Sequence, residues 1–290
     1  MEGNIPVLKV KGKNICEAWE KSLISLWKNG CDIKSHYDKE NDPLSRDCTM
    51  IMVIEKPLFE PRVHRGIPTG LEGLEIYRQE FLEGVHDHWI GSSGSTSWDY
   101  TYHQRLFGYQ GIKQTKTGQE ISFFDQIEWA IKELAKSSFS RRILAITWQV
   151  EKDQKVSDPP CLQQCWWRIL EKNNKSFLNM RTLWRSRDAF KAAFMNLFVL
   201  TELQKIMAEK ISEICQKKIE IGQHTDVSWS YHIYGKDIEK CHDFLKILNN
   251  RSFENRTWNT AFAEPFFEKG RERLKQELKA ESEGRGKGVV

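Results

Sequence analysis

Apolar and polar residues follow one another along this chain with periods that change from segment to segment. A period of two, or a run of β-branched residues, indicates a strand, whereas apolar residues at every third or fourth position indicate a helix. On this basis, strands are predicted at residues 5–10, 48–55, 143–150, 162–170, 177–184 and 219–227. Helices are predicted at residues 14–27, 74–84, 123–136 and 190–214. The mixture predicts an α+β fold.

Short polar signals mark the ends of several of these elements. Asn14 is placed to cap the first helix, and Gly84 can end the second in the left-handed conformation that glycine adopts easily. Asn173 and Asn174 separate two predicted strands and are typical of a tight hairpin turn. Composition rich in polar residues, proline and glycine predicts loops at residues 35–46 and 57–73 and a flexible connection at residues 91–97.

The domain organisation follows from the absence of any internal repeat or clear linker in the sequence. We assign residues 1–255 to a single domain. Residues 256–290 are strongly charged and are predicted to form a C-terminal helix that ends in a mobile tail, EGRGKGVV.

Composition narrows the class of protein without identifying it. The 290 residues are 39% hydrophobic, and the 44 basic and 40 acidic residues nearly balance, so a nucleic-acid partner is not expected. The seven cysteines include no CxxC pair, which argues against a disulfide framework or a metal site. No apolar run reaches the roughly 20 residues that span a membrane, and no signal peptide is recognised. We therefore expect a cytoplasmic protein with no membrane partner.

The sharpest local motif is Asp158-Pro159-Pro160-Cys161. Two prolines restrict the backbone before the cysteine, which suits a nucleophile that must be held in place. A buried cysteine at the start of a strand explains the same segment equally well. A reactive cysteine also needs surroundings that lower the pKa of its thiol, and only the fold can show which basic residues are close.

A second motif, Arg185-Ser186-Arg187-Asp188, precedes the long apolar helix that carries Asn196. Arginine and serine at the end of a strand can bind a phosphate through a planar guanidinium and a hydroxyl, although a solvated turn is the alternative. Asn196 lies among apolar residues, where an amide must find hydrogen-bond partners. It is either a structural residue or an amide that reads the edge of a base.

The third motif, Ser230-Tyr231-His232-Ile233-Tyr234, places His232 and Tyr234 on one face if the segment is extended. Histidine and tyrosine are both common half-buried residues, so this motif alone is weak evidence of a site. The motif becomes stronger evidence of a site because it follows the other two motifs along the chain.

In this order, the motifs resemble those of the thymidylate synthase family. The matching series is Ser140-Arg141-Arg142-Ile143, Pro160-Cys161, Arg185-Ser186-x-Asp188-x-Phe190, Asn196 and His232-x-Tyr234. The pairing of the Pro-Cys and Arg-Ser-x-Asp elements is specific, whereas each alone is modest. The chain is most similar to the divergent archaeal-type synthases and the related pyrimidine-nucleotide hydroxymethylases in the segments Tyr100–His103, Ile146–Trp148 and Tyr231–Tyr234.

The resemblance implies a mixed β-sheet packed with helices and a homodimer formed through the sheets. Cys161 would add to C6 of a pyrimidine nucleotide. C5 would then attack the methylene group of 5,10-methylenetetrahydrofolate or a related reduced pterin, without a metal. At the phosphate, the resemblance implies binding roles for Arg185, Ser186 and Arg46, and for Arg141 and Arg142 of a twofold-related subunit. It also implies that Asn196 binds the pyrimidine edge and that Asp188 contacts the folate pterin. His232 and Tyr234 would bind the sugar.

The chain departs from the family pattern at several pocket positions. Leu162 follows the cysteine where most synthases have histidine, and Trp184 stands where glutamine is usual. Tyr77 stands at the position of the usual catalytic glutamate, so Glu80, one helical turn away, is our candidate general acid/base. A solvated carboxylate is the alternative interpretation of Glu80, and Tyr102 is a second candidate for proton transfer near C5.

Three functions remain open at this point. The first, which Asn196 favours because its amide suits uracil, is a thymidylate synthase that methylates dUMP to dTMP. The second is a 5-hydroxymethylase acting on dUMP, dCMP or CMP, in which water captures the methylene intermediate. The third is a catalytically silent nucleotide-binding or RNA-binding relative, and the presence of Cys161 beside the arginines argues against it.

Overall fold

The structure, a computed structural model, describes residues 3–91, 97–116 and 118–285. Its strands are β1 (Val7–Gly12), β2 (Cys31–Ile33), β3 (Ser45–Ile54), β4 (Val63–His64), β5 (Tyr109–Thr115), β6 (Gly118–Phe124), β7 (Leu144–Ile146), β8 (Leu162–Lys172), β9 (Lys175–Asp188), β10 (Ile219–Ile233) and β11 (Thr257–Trp258). Its α-helices are α1 (Ile15–Asn29), α2 (Gly70–Glu83), α3 (Tyr102–Phe107), α4 (Gln126–Lys136), α5 (Val150–Asp153), α6 (Ala193–Cys215), α7 (Ile238–Asn250), α8 (Phe253–Arg256) and α9 (Thr260–Ser282).

The main sheet is mixed. In the described part of the chain it has seven strands in the order β1-β3-β10-β9-β8-β7, and β2 pairs with the first residues of β3. β1 is parallel to β3 and β9 is parallel to β10, whereas the other neighbours are antiparallel. Two small sheets pair β4 with β11 and β5 with β6. These features confirm the predicted α+β class with a mixed sheet and packed helices.

The two faces of the sheet differ in their burial. On one face, side chains such as Trp167 and Met180 are fully buried, and α1 and α6 contribute Trp19 and Leu200 to the same core. On the other face, Leu170 and Trp229 remain 56% and 55% exposed. Successive side chains of a strand point to opposite faces, so this alternation gives one covered face and one that we call the open face.

The polar signals at element ends are confirmed. The side chain of Asn14 accepts a hydrogen bond from the backbone N–H of Glu17 at 3.0 Å and so caps α1. α2 ends at Gly84, whose φ of 64° is the left-handed conformation. Asn173 and Asn174 have φ values of 51° and 59° and connect β8 to β9, as the tight turn requires.

Several predicted boundaries are wrong; α2, for example, begins at Gly70 and not at residue 74. The helix predicted from residue 123 begins at Gln126, because the carboxylate of Asp125 accepts the N–H of Glu128 at 2.7 Å and caps it there. Phe123 and Phe124 instead end β6, in a hairpin that the sequence pattern did not predict. The strand predicted at residues 143–150 is only three residues long, since α5 follows it.

The C-terminal helix α9 packs along α2. A Cβ atom at Gly270 would lie 2.9 Å from the carbonyl oxygen of Glu72, so glycine allows the two helices to approach closely. Nη1 of Arg271 also lies 3.2 Å from Oε1 of Glu75. The predicted flexible connection and mobile tail fall largely on residues 92–96 and 286–290, which lie outside the described residues.

Candidate active site

Cys161 lies half-buried where the proline segment meets β8. The backbone N–H of Arg185 on β9 donates to the carbonyl oxygen of Cys161 at 2.9 Å. The guanidinium of Arg185 donates to the carbonyl oxygens of Pro160, at 3.0 Å, and of Pro159. One residue of β9 therefore holds both the cysteine and the segment that leads to it, and the first two sequence motifs are in direct contact.

The electrostatic surroundings of the thiol act in opposite directions. Burial raises the pKa of Cys161 above its ordinary value. The charges of Arg185 and Arg187 lower that pKa, whereas the carboxylate of Asp158 raises it. Because burial is the largest effect, these residues alone leave Cys161 mainly as a thiol at neutral pH.

Two tyrosine hydroxyls lie next to the cysteine. The hydroxyl of Tyr102 accepts a hydrogen bond from the backbone N–H of Leu162 at 3.1 Å and also bonds to the hydroxyl of Tyr100. Burial raises the pKa of both tyrosines, and a negative charge on Cys161 would raise it further. Both hydroxyls are therefore neutral and can hold or pass on a proton beside Cys161.

Adjacent parallel strands bring the second and third motifs together. In the register of β9 and β10, Ser186 pairs with Ser230 and Asp188 pairs with His232. Directly paired residues of neighbouring strands have side chains on the same face of the sheet. The predicted phosphate-binding and sugar-binding residues therefore share one region of the sheet.

His232 has a defined protonation state. Burial lowers the pKa of its imidazole, so the ring is neutral. Its Nδ1 lies 3.2 Å from the hydroxyl of Ser230, which donates its only proton to the carboxylate of Asp47 at 2.6 Å. Nδ1 must therefore be the protonated nitrogen, and Nε2 is left as an acceptor. The ring of Tyr234 contacts the imidazole at a centroid distance of 4.5 Å.

Asp188 has a structural task in addition to its predicted role at the folate. Its Oδ1 accepts the backbone N–H groups of Phe190 at 3.0 Å and Lys191 at 2.8 Å. These bonds form the turn that leads from β9 into α6. Burial raises the pKa of this carboxyl. Contact with a pterin stays a prediction.

Asn196 lies in the first turn of α6 and is only 5% exposed. Its Oδ1 accepts from Nε of Arg187 at 3.3 Å, and its Nδ2 donates to the hydroxyl of Tyr77 at 2.6 Å. Burial raises the pKa of Tyr77 well above its ordinary value, so this hydroxyl is also neutral. The partners that a buried amide requires are thus an arginine and a tyrosine to which the sequence motifs assign no role.

The other three predicted arginines lie in different surroundings. Nη1 of Arg46 is paired with the carboxylate of Asp32 at 2.6 Å, and its Nε donates to a backbone carbonyl of α1. Arg141 and Arg142 are exposed in the turn before β7. The carbonyl oxygen of Arg141 accepts from the indole of Trp166 at 3.0 Å, and Trp166 belongs to the open face of the sheet.

A cavity of about 770 Å³ opens beside α2, next to the Tyr77–Asn196 contact. Its walls are rich in aromatic side chains, which are Tyr77, Trp89, Trp98, Trp258 and Phe266. Glu80 also lines it, with Oε1 2.8 Å from Nδ1 of His86, and the imidazole of His86 stacks on Trp89 at 3.8 Å. Glu80 is therefore a paired carboxylate at the wall of a cavity, and its role as acid or base stays a prediction.

Two buried charges lie behind Asn196 that the sequence motifs do not single out. The side chains of Arg187 and Asp226 are 1% and 0% exposed and form an ion pair between β9 and β10. Asp226 follows the inward-facing alternation of β10, whereas the alternation of β9 breaks between Trp184 and Arg187. A buried charge is costly without a partner, but the sequence pattern alone gives no signal that Arg187 is buried.

Comparison with known proteins agrees with this arrangement. The family profile for "Thymidylate synthase" matches residues 74–258. A "Putative thymidylate synthase" of Methanosarcina mazei is 30% identical over 240 residues, which are 83% of this chain and 95% of that protein. The chain belongs to the thymidylate synthase family. A protein of the same description from Methanothermobacter thermautotrophicus is 25% identical over 252 residues, covering 82% of this chain and 98% of that protein. A "Thymidylate synthase" of Fusobacterium nucleatum is 26% identical over 189 residues, which are 62% of this chain and 61% of that protein.

The region that matches the thymidylate synthase family contains most of the candidate site. It extends from α2 to β11 and includes every predicted site residue except Arg46, which precedes it. Across the described ranges, no group of three or more His, Cys, Asp or Glu residues is arranged to hold a metal ion. None of the described helices is long and apolar enough to cross a membrane.

Proposed function

We propose that this member of the thymidylate synthase family transfers a one-carbon unit to C5 of dUMP and produces dTMP. The contact between Cys161 and Arg185 supports this proposal most strongly. It joins a nucleophile to a cation that can bind phosphate, on adjacent strands. A nucleotide whose phosphate binds at Arg185 and Ser186 would then lie beside the thiol.

The chemistry begins at Cys161 and ends with its release. The thiolate adds to C6 of the uracil ring, and the displaced electron pair gives an enolate across C5, C4 and O4. C5 forms a bond to the one-carbon unit and then loses its proton, for which Tyr102 and Glu80 are the candidate acceptors. Loss of this proton would break the bond between the methylene group and the folate nitrogen, so that tetrahydrofolate leaves and an exocyclic methylene remains on C5. For methyl formation, that methylene would take a hydride from the tetrahydrofolate, which becomes dihydrofolate. Elimination of Cys161 restores the aromatic ring.

The binding roles follow the chemistry of each side chain. His232 is neutral with Nε2 as an acceptor, which suits a sugar hydroxyl, and Tyr234 lies against its ring. Asn196 presents an amide, which can donate to O4 and accept from N3–H of uracil. We assign the phosphate to Arg185 and Ser186, with Arg46 as a further candidate.

The aromatic cavity beside α2 fits the folate. Its volume of about 770 Å³ is within the range of small-molecule sites, and indole rings can stack on a planar pterin. Arg65 and Arg273 also line it and could pair with the carboxylates of a glutamate tail. We therefore propose 5,10-methylenetetrahydrofolate, or a related reduced pterin, as the co-substrate, with Asp188 contacting the pterin.

We further propose that the open face of the sheet pairs with a second copy of the chain. Exposed apolar residues such as Leu170 and Trp229 lie on it, and a flat apolar face of this kind is typical of a subunit interface. The exposed Arg141 and Arg142 lie at its edge and would reach the partner's phosphate site. Light scattering should give twice the chain mass of 34.1 kDa, and a mass of one chain would contradict the dimer.

A 5-hydroxymethylase is the second candidate, and the Glu80–His86 pair favours it. Glu80 lines the cavity that would hold the folate, where its carboxylate could deprotonate a water molecule, and the buried imidazole of His86 bonds to that carboxylate. Water would then capture the methylene group on C5 in place of hydride. The two reactions share every step at Cys161 and differ in what reaches the methylene group.

One experiment separates these functions. The protein is incubated with methylenetetrahydrofolate and dUMP, dCMP or CMP, and the products are identified by mass. The synthase predicts dTMP and dihydrofolate, whereas the hydroxymethylase predicts a 5-hydroxymethyl nucleotide and tetrahydrofolate. If neither product forms and Cys161→Ser leaves nucleotide binding unchanged, the protein is a silent nucleotide-binding relative and the proposal is wrong.

A further inference from the structure

Arg187 and Asp226 form a fully buried ion pair one side chain away from Asn196. Nη1 of Arg187 donates to Oδ1 of Asp226, and Nη2 donates to the carbonyl oxygen of Ala193 at 2.9 Å. The guanidinium also lies 4.4 Å above the ring of Trp184. A buried pair of this kind seldom adds net stability compared with apolar residues of similar volume, so its presence beside a candidate site requires an explanation.

Every hydrogen bond around Asp226 has a fixed direction. Its Oδ2 accepts from the hydroxyl of Thr182 at 2.6 Å and from the indole of Trp184 at 2.9 Å. Thr182 has given away its only proton, so it must accept from Nε2 of His224 at 2.9 Å. Burial lowers the pKa of His224 to about 4, which keeps that ring neutral. The charge of Asp226 is therefore left to pair with Arg187 alone.

This directed network fixes the orientation of the Asn196 amide. A guanidinium only donates, so the amide atom 3.3 Å from Nε of Arg187 must be Oδ1. Nδ2 then faces Tyr77 and donates to its hydroxyl at 2.6 Å. Rotation of the amide by half a turn would set an N–H of Asn196 against an N–H of Arg187.

The fixed orientation has a chemical consequence for base recognition. Tyr77 accepts from Nδ2, so its own proton remains available, and Nδ2 keeps a second proton. The edge formed by Asn196 and Tyr77 therefore offers donors at Nδ2 and at the Tyr77 hydroxyl, and Oδ1, which accepts one bond from Arg187, keeps a second lone pair that can accept. Uracil has a carbonyl acceptor at C4 and a donor at N3, which match this edge. Cytosine has an amino donor at C4 and an acceptor at N3, and would match the rotated amide.

On the basis of the base-reading role proposed above for Asn196, we propose that Arg187, held by Asp226, is a positioning residue that selects uracil. It does so by locking the Asn196 amide in the orientation that rejects cytosine. Trp184 supports the lock because it both donates to Asp226 and stacks under Arg187. Trp184, which departs from the family pattern, and Arg187 thus act together in orienting Asn196.

The test compares Arg187→Met and Arg187→Lys with the unmodified protein. Methionine removes all donors, and lysine keeps a cation for Asp226 but lacks the planar fork that also reaches Asn196. Equilibrium binding of dUMP and dCMP is measured by calorimetry, which does not require turnover. We expect each variant to lower the dUMP to dCMP affinity ratio by about tenfold or more, since the site loses a directed hydrogen bond. The lysine variant keeps the test decisive if the methionine variant does not fold.

Arg62→Met is the matched control. Arg62 forms a largely buried pair with Glu202 at 2.6 Å and bonds to Thr201, both on the helix that carries Asn196. We expect it to lose stability while its dUMP to dCMP ratio stays unchanged. If Arg187 had only a structural effect, the Arg187 and Arg62 variants would behave alike: both would keep the dUMP to dCMP affinity ratio of the unmodified protein, or both would change it.

A second comparison shows whether Arg187 acts through the amide. In an Asn196→Ala background, Arg187→Lys should leave the affinity ratio where Asn196→Ala alone has set it. The inference is wrong if the unmodified protein does not prefer dUMP, if Arg187→Lys keeps the full preference, or if its effect persists without Asn196. If the affinity ratios change as expected but the unmodified protein shows no turnover, the proposed reaction is wrong. The role of Arg187 in orienting Asn196 would still stand.

Discussion

Cys161, the proposed nucleophile, and Asn196, the proposed base-reading amide, are held in position in different ways. Cys161 is half-buried, and its neighbour Arg185 holds it mainly through backbone atoms. Asn196 is buried, and the side chains of Arg187 and Tyr77 hold it. The first arrangement fixes the backbone but leaves the thiol open to its surroundings, whereas the second fixes the side chain itself.

The difference fits the role that we propose for each residue. A nucleophile must be reached by its substrate and must change its protonation state, so partial exposure near a cation is useful. An amide that discriminates between two bases must not rotate, and buried, fully paired networks provide that rigidity. Substitutions on the nucleophile side should therefore change rates, whereas those on the amide side should change selectivity and stability.

The largest effect is expected from Cys161→Ser. Turnover should fall by about 10⁴-fold or more, because a hydroxyl cannot replace the attacking sulfur. The affinity for dUMP should change little, since Arg185, His232 and Asn196 remain. Cys215→Ser, which changes another half-buried cysteine on α6, is the control and should keep its rate. Full turnover by Cys161→Ser would remove the nucleophile from the account.

Tyr102→Phe should have the next largest effect on the rate. It keeps the ring that contacts Trp184 at a centroid distance of 6.0 Å but removes the hydroxyl beside the cysteine. If this hydroxyl transfers the C5 proton, kcat should fall by about 10²-fold or more with little change in affinity. Tyr109→Phe removes a hydroxyl that bonds to the Trp148 carbonyl and serves as the control. An unchanged kcat in Tyr102→Phe together with a reduced kcat in Glu80→Gln would assign the proton transfer to Glu80.

The pH dependence of the thiol gives a smaller but directional effect. The pKa of Cys161 is raised by burial, so its thiolate fraction grows as pH rises towards that pKa. Alkylation by iodoacetamide, followed by mass spectrometry of the Cys161 peptide, should accelerate about tenfold per pH unit above neutrality. Arg185→Met should slow the reaction further at each pH, because this arginine lowers the pKa. A rate that is already at its plateau at neutral pH would contradict the raised pKa.

The last prediction concerns the free energy of unfolding and compares a partly exposed arginine with a buried one. Arg46→Met breaks a pair whose carboxylate, on Asp32, is 57% exposed, and should cost about 0–1 kcal/mol of unfolding free energy. Arg187→Met leaves the carboxylate of Asp226 buried without its cation and should cost about 3–5 kcal/mol. Denaturant unfolding of both variants measures the difference, and equal losses would show that the burial of the pair does not matter.

Features with strong local signals could be predicted from the sequence. The cap at Asn14, the turn at Asn173-Asn174 and each single motif depend on residues close together in the chain. The hairpin of β5 and β6 escaped prediction because its apolar residues, such as Ile112 and Ile121, are 63% and 66% exposed, which the usual alternation rules do not anticipate.

The Arg187–Asp226 pair could not be assigned for a different reason. The two residues are distant in sequence, and they meet only through the parallel pairing of β9 with β10. Period-two patterning predicts the strands but not which strands are neighbours or in what register. The sequence motifs therefore indicated Cys161 as the candidate nucleophile, whereas the residues that hold Asn196 could be recognised only from the pairing of the strands.

The covalent step at Cys161 is tested most directly with 5-fluoro-dUMP and methylenetetrahydrofolate. Fluorine cannot leave C5 as a proton does, so the reaction should stop after both new bonds, to C6 and to the one-carbon unit, have formed. Mass spectrometry should find the peptide containing Cys161 heavier by the nucleotide and the folate together, and Cys161→Ser should give no adduct. An adduct on another cysteine, or none in an unmodified protein that binds dUMP, would contradict attack by Cys161 on the pyrimidine ring.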